Sequence, residues 1–294
     1  MSRVEVKKTY KLYIGGAFPR SESGRSYEVS DSKGRFLANA ALGSRKDARD
    51  AVVKARSAVA GWSGATAYNR GQVLYRVAEV MESRKSQFVE EVRAAEGLTA
   101  ARASAIVDTA IDRWVWYAGW ADKFQQVLDG LNPVTGPFFN ISASEPTGVV
   151  AALAPQRSSL LGLVSVIAPI VVSGNTAVVL TSYERPIPAI TLAEALATSD
   201  VPGGVINLIT GNPAEMAPWL ASHRDVNAID LTGVADTEIG WAELERASAD
   251  NLKRVVRPAM GASGAVEPDF TIVPGLQRLE AFLETKTVWH PKGR

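Results

Sequence analysis

The chain contains no cysteine among its 294 residues, and its only histidines are His223 and His290. The absence of cysteine excludes disulfides, thiolate metal sites, iron–sulfur clusters and thiol nucleophiles. Two histidines far apart in the sequence exclude a histidine-rich metal site, so we predict no metal ligands. A Ser-His-Asp triad would have to use one of these two histidines.

The sequence also lacks a charge excess and a long apolar run. The 32 basic and 31 acidic residues leave a net charge of +1, which gives no electrostatic reason to expect nucleic acid or an anionic membrane surface as a partner. The most apolar stretch, residues 160–172, is shorter than the roughly 20 apolar residues that span a bilayer. No signal-peptide pattern is present at the N-terminus. We therefore expect a soluble cytoplasmic protein.

The first part of the chain, residues 10–130, has mostly helical patterns. Alternating apolar residues around Gly15-Gly16 predict a hairpin over residues 10–18. Ser44 and Asp47 form a capping-box pattern at the start of a helix. A later helix is predicted over residues 100–128, and its cluster of aromatic side chains is expected to be buried. This cluster consists of Trp114, Trp116, Tyr117 and Trp120.

The second part, residues 145–233, alternates apolar runs with helical patterns. Strands are predicted over 148–153, 176–180, 204–209 and 228–231, and helices over 160–172, 187–197 and 213–222. This alternation is typical of a parallel, doubly wound sheet. The strands read as continuous apolar runs, which is the pattern of strands that are buried on both faces.

Two segments flank this pattern. Residues 137–144 predict an extra strand, and residues 285–291 predict an alternating strand at the end of the chain, after a short helix over 276–283. Residues 251–268 are predicted to begin as a strand and then to lose regular structure in a run of small residues. A small basic patch in this segment, formed by Lys253, Arg254 and Arg257, is predicted to be solvated.

These segments, in their order and spacing, resemble the aldehyde dehydrogenase family. The similarity covers about residues 10–256 and the final strand. It rests on the N-terminal hairpin and on residues 116–123 (WYAGWADK), 145–150 (EPTGVV), 167–169 (IAP), 174–176 (GNT), 202–207 (PGGVIN), 231–233 (LTG) and 251–255 (NLKRV). The resemblance implies an α/β fold: a Rossmann-like domain with a helical N-terminal layer and a small oligomerisation β-sheet.

The resemblance also implies a division of the chain, with the family's catalytic domain absent. Residues 1–135 would form the N-terminal hairpin and helical layer. Residues 136–147 would form an oligomerisation strand, and residues 148–262 the Rossmann-like core. Residues 263–294 would provide a short linker, a helix and the C-terminal oligomerisation strand.

The departures from the family pattern fall where its chemistry should be. The family attacks its aldehyde with a cysteine, which this chain does not have. Arg157 stands where the family has an asparagine whose amide holds the developing oxyanion. Pro258 stands at the position of the family's general base, a glutamate, and its side chain has no proton acceptor. We therefore assign no catalytic residues.

The pattern for a cofactor is partly retained. The family holds the adenosine ribose with a lysine and a glutamate after the second strand, and the segment 180–184 (LTSYE) has no lysine. Ser182 and Glu184 are our candidates for contacting ribose hydroxyls, and Gly233 is our candidate for approaching a phosphate at a helix N-terminus. Ordinary turn residues are the alternative interpretation, so NAD(P) stays open as a cofactor.

Three functions follow from the resemblance. The first is a non-catalytic aldehyde-dehydrogenase-like subunit, a pseudoenzyme, that assembles with a full-length aldehyde dehydrogenase into a hetero-oligomer or self-associates through its oligomerisation strands. The second is a component of an active NAD(P)-dependent aldehyde oxidoreductase whose active site lies on the partner chain. The third is a nucleotide-binding sensor module. Neither nucleic acid nor a membrane is expected as a partner.

Overall fold

The computed structural model describes residues 6–235 and 237–293. Within these residues, five strands and five helices precede the central sheet. In chain order they are β1 (Thr9–Tyr10), β2 (Ser26–Ser30), β3 (Phe36–Ala41), α1 (Arg45–Gly64), α2 (Ala67–Ser83), α3 (Lys85–Glu96), α4 (Ala100–Trp120), α5 (Phe124–Leu128), β4 (Gly130–Asn132) and β5 (Phe138–Pro146).

The N-terminal hairpin is confirmed at its turn and at the next pair along. Ile14 and Ala17 exchange two backbone hydrogen bonds of 3.0 and 3.1 Å across Gly15-Gly16, and Leu12 N–H donates to the carbonyl of Pro19 at 3.1 Å. Tyr13 also forms a bridge to Leu208. The predominantly helical prediction also missed a small sheet in the order β1-β3-β2. Its strands are short and half exposed, so they lack an apolar signal.

The helical layer begins as predicted. The Ser44 side chain accepts from the backbone of Asp47, and the Asp47 side chain accepts from the Ser44 backbone, which completes the capping box of α1. The single helix predicted over 100–128 is wrong, because the chain breaks between α4 and α5. Bonds from Ala121 to Ala118 and from Lys123 to Trp120 span three residues each and tighten the helix end.

Alternating strands and helices follow. They are β6 (Val149–Leu153), α6 (Leu161–Val172), β7 (Thr176–Leu180), α7 (Ile187–Ala197), β8 (Ile206–Ile209), α8 (Pro213–Ser222), β9 (Ala228–Asp230), α9 (Trp241–Ser248) and β10 (Arg254–Val256). The strands form one parallel sheet in the order β8-β7-β6-β9-β10. This order places a topological switch point between β6 and β9.

The two faces of this sheet are covered by different helices. Side chains of α6 and α7 share one apolar cluster with α2, α3 and α4. Side chains of α8 and α9 share a second cluster with α1 on the opposite face. Every residue of β6, β7, β8 and α6 is buried. The predicted doubly wound sheet is therefore confirmed, and it lies between two apolar layers.

The tail contains two short strands, β11 (Ala259–Gly261) and β12 (Gly264–Val266), then α10 (Gln277–Glu280) and β13 (Leu283–Pro291). The two short strands form an antiparallel hairpin, so the expectation that residues 251–268 lose regular structure is wrong. β13 pairs antiparallel with β5 over nine residues, in a sheet of the order β13-β5-β4. This is the small sheet that the sequence predicts.

The aromatic cluster of α4 lies in the core, as predicted. Trp114 and Tyr117 are fully buried, and Trp116 and Trp120 pack against the same apolar cluster. Across residues 6–235 and 237–293, no helix is both long enough and apolar enough to cross a membrane.

Candidate functional site

A cleft of about 510 Å³ lies at the carboxyl ends of the parallel strands. Its walls come from the loops that follow β6, β7, β8 and β9, which is where doubly wound sheets bind their ligands. The lining residues are Gln156, Arg157, Tyr183, Glu184, Arg185, Asn212, Pro213, Ala214, Thr237, Glu238 and Ile239.

Gln156 joins the loops after β6 and β7. Its side-chain Oε1 accepts from the backbone N–H of Tyr183 at 3.0 Å, and its backbone oxygen accepts from the hydroxyl of Ser182 at 2.9 Å. Its Nε2 donates to the carbonyl of Ala154 at 2.7 Å. These bonds fix the shape of the cleft floor between the two strands.

The three predicted cofactor residues take different positions. Glu184 is exposed and lines the cleft. Ser182 is 4% exposed, and its hydroxyl is already used, since it donates to the Gln156 carbonyl and accepts from the Arg185 N–H. The structure therefore brings Glu184 to the cleft wall and Ser182 beneath it. Their role in binding a cofactor stays a prediction.

Gly233 lies in a single 3₁₀ turn, residues 232–234, directly after β9. It is buried and does not belong to the cleft lining. A Cβ at this position would lie 2.2 Å from the carbonyl oxygen of Ala154, so only glycine lets this turn pack against the end of β6. Close backbone packing therefore explains this glycine, and phosphate contact by Gly233 stays a prediction.

Several lining residues were not predicted as site residues. Arg185 donates to the carbonyl oxygen of Arg157 at 2.6 Å, and both residues line the cleft. The ring of Tyr183 stacks on Tyr27, with centroids 4.8 Å apart. Asn212 caps α8 by accepting from Ala214 N–H at 2.9 Å. The position of Arg185 in the loop that follows β7 is the sequence signal that could have identified it.

A buried ionic group lies at the switch point. Asp230, the last residue of β9, is fully buried and forms an ion pair with Arg278. The other carboxylate oxygen of Asp230 accepts from the N–H and hydroxyl of Thr232, at 2.9 and 2.5 Å. Arg278 also donates to the Thr232 hydroxyl at 3.1 Å. No local pattern links residues so far apart in sequence, so this contact was not predicted.

Two carboxylates hold the loop before α6. Glu267 accepts from the backbone N–H groups of Arg157 and Ser158 at 3.0 and 2.9 Å. Glu96 accepts from the N–H and hydroxyl of Ser159 at 2.8 and 2.7 Å, and burial raises its pKa. The Ser158 hydroxyl accepts from Gly162 N–H at 2.8 Å and so bonds the first turn of α6.

The predicted basic patch is partly wrong. Lys253 is only 7% exposed, because it lies against the α9 end of the fold, and burial lowers its pKa to about 8. Arg254 pairs with Glu284 at 2.6 Å, and Arg257 pairs with Glu245 at 2.8 Å. These side chains are bound to specific partners.

The two histidines lie in different parts of the fold. His223 packs against Trp219 with ring centroids 4.4 Å apart, and burial lowers its pKa. His290 lies in β13 opposite Phe139. Within the described parts of the chain, no three histidine or acidic side chains come together in a group that could hold a metal ion.

The five-stranded parallel sheet, its strand order and the cleft at its carboxyl ends define a Rossmann-like α/β protein. The particular family follows from comparison with known sequences. The model of the aldehyde dehydrogenase family matches residues 18–266, and the chain belongs to this family.

Individual relatives match most of this chain but only part of their own. An aldehyde dehydrogenase of Enchytraeus buchholzi is 32% identical over 86% of this chain and 51% of its own length. D-glyceraldehyde dehydrogenase (NADP(+)) of Thermoplasma acidophilum is 29% identical over 84% of this chain and 49% of its own length. The cytosolic 10-formyltetrahydrofolate dehydrogenase of Mus musculus is 29% identical over 87% of this chain, which spans 29% of that relative.

Solved structures show the same fold. A betaine aldehyde dehydrogenase from Staphylococcus aureus, solved with NAD+, has a TM-score of 0.78 at 24% identity, over 84% of this chain and 49% of that chain. An aldehyde dehydrogenase from Bacillus cereus has a TM-score of 0.77 at 22% identity, over 86% of this chain and 53% of that chain. This chain therefore spans about half the length of these structures.

Proposed function

We propose that this chain is a non-catalytic member of the aldehyde dehydrogenase family that assembles with a full-length aldehyde dehydrogenase as a structural or regulatory partner. Three features support the lack of catalysis. The 294 residues contain no cysteine, Arg157 stands at the position of the oxyanion donor, and Pro258 stands at the position of the general base. A site without nucleophile, base and oxyanion donor cannot perform the family's reaction.

The observation that carries the assembly proposal is the small sheet of β13, β5 and β4. Paired residues of neighbouring strands share one face, and on one face Ile141 pairs with Leu131 and with Val288. Together with Phe139 these side chains form an apolar cluster, which we call the apolar face, and they are 42–64% exposed. The other end of this face carries an ion pair between Lys286 and Glu145.

The opposite face of the same sheet carries a polar network beside two exposed aromatic side chains, Phe138 and Trp289. The amide of Asn132 donates to Asn140 and to the hydroxyl of Ser142, at 2.6 and 2.7 Å, and Ser142 bonds Thr287 at 3.0 Å. Within the described residues, this sheet therefore exposes apolar side chains on both faces, with the cluster around Ile141 on one and Phe138 and Trp289 on the other. Exposed apolar clusters of this kind are typical of a protein interface.

A co-expression pull-down with a full-length aldehyde dehydrogenase from the same source tests the assembly. We expect the partner to be recovered with the wild-type chain and to be lost with Ile141→Lys, because a charge on the apolar face cannot be buried unpaired. Thr285→Lys, on the opposite face of the same sheet, is the matched control and should retain the partner. A stable monomer that ignores the enzyme would contradict the proposal.

An activity assay separates a structural partner from a component of an active oxidoreductase. Aldehyde-dependent formation of NADH is measured for the full-length enzyme with and without this chain. An unchanged rate indicates a structural role, and a rate that requires the chain places it in an active assembly whose chemistry lies on the partner.

Self-association through the same apolar face would give a homo-oligomer that is also sensitive to Ile141→Lys. The proposal includes a cytoplasmic location, which cell fractionation tests.

Nucleotide binding is a second candidate function, and the cleft at the carboxyl ends of the strands favours it. Arg157 and Arg185 provide guanidinium groups for phosphate, Glu184 is a candidate for ribose hydroxyls, and Tyr183 provides an aromatic ring. Calorimetry with NAD, NADP and ATP tests this candidate. Absence of heat with all three would reject it without affecting the assembly proposal.

A further inference from the structure

We propose that the cleft takes a nucleoside monophosphate or diphosphate and excludes the second half of a dinucleotide. The excluding element is residues 267–282, which we call the strap, between β12 and β13. This inference rests on the second candidate function, nucleotide binding. It follows from where the strap touches the two loops of the switch point.

The strap reaches the loop after β6 through Glu267. Its two carboxylate oxygens accept from the N–H groups of Arg157 and Ser158 at 3.0 and 2.9 Å. Free backbone N–H groups in front of a helix are donors that an anion such as phosphate would otherwise use. In this chain an internal carboxylate already occupies them.

The strap reaches the turn after β9 through Arg278. Its guanidinium pairs with the buried carboxylate of Asp230 and donates to the hydroxyl of Thr232 at 3.1 Å. The loops after β6 and β9 flank the switch-point crevice, which is the place where a dinucleotide crosses such a sheet. Strap residues therefore contact both walls of the crevice.

The remainder of the strap is fixed to the body of the protein. Arg113 is 6% exposed and donates to the carbonyls of Phe270 and Ile272, at 2.5 and 3.0 Å. Leu279 and Phe282 are fully buried in the main apolar cluster. Displacement of the strap by a ligand would have to break these polar bonds and expose this apolar surface, which opposes opening.

The part of the site that stays open is the cleft beside the strap. It is lined by groups that suit one nucleotide: guanidiniums for phosphate, a carboxylate for ribose, and the exposed ring of Tyr183 for a base. The nicotinamide half of NAD would have to lie beyond this cleft, toward Thr232. We therefore expect that half to contribute no affinity.

Calorimetric titration of the full chain with AMP, ADP and NAD tests the inference. We expect NAD to bind no more tightly than ADP, within about threefold. The double variant Glu267→Ala/Arg278→Met removes both contacts with the crevice, and its NAD affinity should rise about tenfold relative to its ADP affinity. Glu280→Gln, an exposed strap residue in α10, is the matched control and should keep the wild-type ratio.

Hydrogen exchange of the wild-type chain provides a test that does not depend on the folding of a variant. We expect NAD to leave the exchange of residues 267–282 and of the amides of Arg157 and Ser158 unchanged. Faster exchange of these amides with NAD would overturn the exclusion of the second half of NAD, and so would NAD that binds about tenfold more tightly than ADP. Either result would leave the proposal of nucleotide binding intact. Absence of binding by all three nucleotides would reject nucleotide binding itself, and this inference with it.

Discussion

The central sheet and the tail of this protein are stabilised in different ways. In the sheet, β6, β7, β8 and the covering helix α6 are buried at every residue. In the tail, β11 is exposed at every residue and β13 is exposed at eight of its nine residues. The tail is held by a few buried side chains, such as Leu279 and Phe282, and by directed polar contacts, among them the Arg278–Asp230 and Arg254–Glu284 ion pairs.

The two regions also differ in how they relate to the family model. The buried sheet lies within residues 18–266, which match the model, and the strap lies beyond residue 266, where that match ends. Burial of apolar side chains is non-directional and tolerates exchange among apolar residues. The polar contacts of the strap need particular side chains at particular positions.

The largest expected effect is a cavity in the buried region. Ile167 in α6 is fully buried, and Ile167→Ala should lower the free energy of unfolding by about 2–5 kcal/mol. Ile272→Ala is the matched control, because Ile272 in the strap is 66% exposed and should change stability by less than about 0.5 kcal/mol. Urea denaturation measures both. Equal losses for the two variants would refute the contrast between the regions.

A smaller effect is expected when the ion pair of the strap is broken. Arg278→Met leaves the buried carboxylate of Asp230 without its countercharge, and the partly exposed position of Arg278 reduces the cost to about 1–3 kcal/mol. Adding Asp230→Asn removes the unpaired charge, so the double variant should recover part of the loss. A double-mutant cycle by urea denaturation measures the coupling. Strictly additive losses would show that the pair contributes nothing.

The smallest effect is a pH dependence that arises from Lys253. Burial lowers its folded pKa from 10.5 to about 8, so between these values the unfolded state binds more protons and the free energy of unfolding rises with pH. Below pH 8 the buried charge costs about 1 kcal/mol after allowance for solvent screening.

Lys253→Met should therefore be more stable than the wild-type chain at pH 7, and this advantage should shrink by pH 9.5. Urea denaturation at both values measures it. The difference in the free energy of unfolding between the two chains removes the contributions of other titrating groups, which both chains share. An advantage that does not change with pH would contradict the lowered pKa of Lys253.

The sequence predicts the buried region well, because burial leaves a pattern of its own. The apolar runs of β6 and β7 and the capping box of Ser44 and Asp47 all form as predicted. The break between α4 and α5 was missed, because apolar residues continue through it at helical spacing. The hairpin of β11 and β12 was missed because its exposed small residues have no apolar alternation.

The candidate site could be predicted only in part. Glu184 follows β7, a strand that is easy to recognise in the sequence. Its position on the cleft wall could therefore be predicted. The contacts of Glu267 with the loop after β6 and of Arg278 with Asp230 were beyond prediction, because each joins residues that are distant in sequence. The ion pair of Arg278 and the burial of Lys253 were not predicted either, because charged side chains are expected at the surface.

The most direct test of the central proposal is native mass spectrometry of the complex isolated from the protein's source. We predict a mixed complex that contains this 31.4 kDa chain and a full-length aldehyde dehydrogenase, and we predict that Ile141→Lys abolishes it. A chain found only as a monomer would contradict the account.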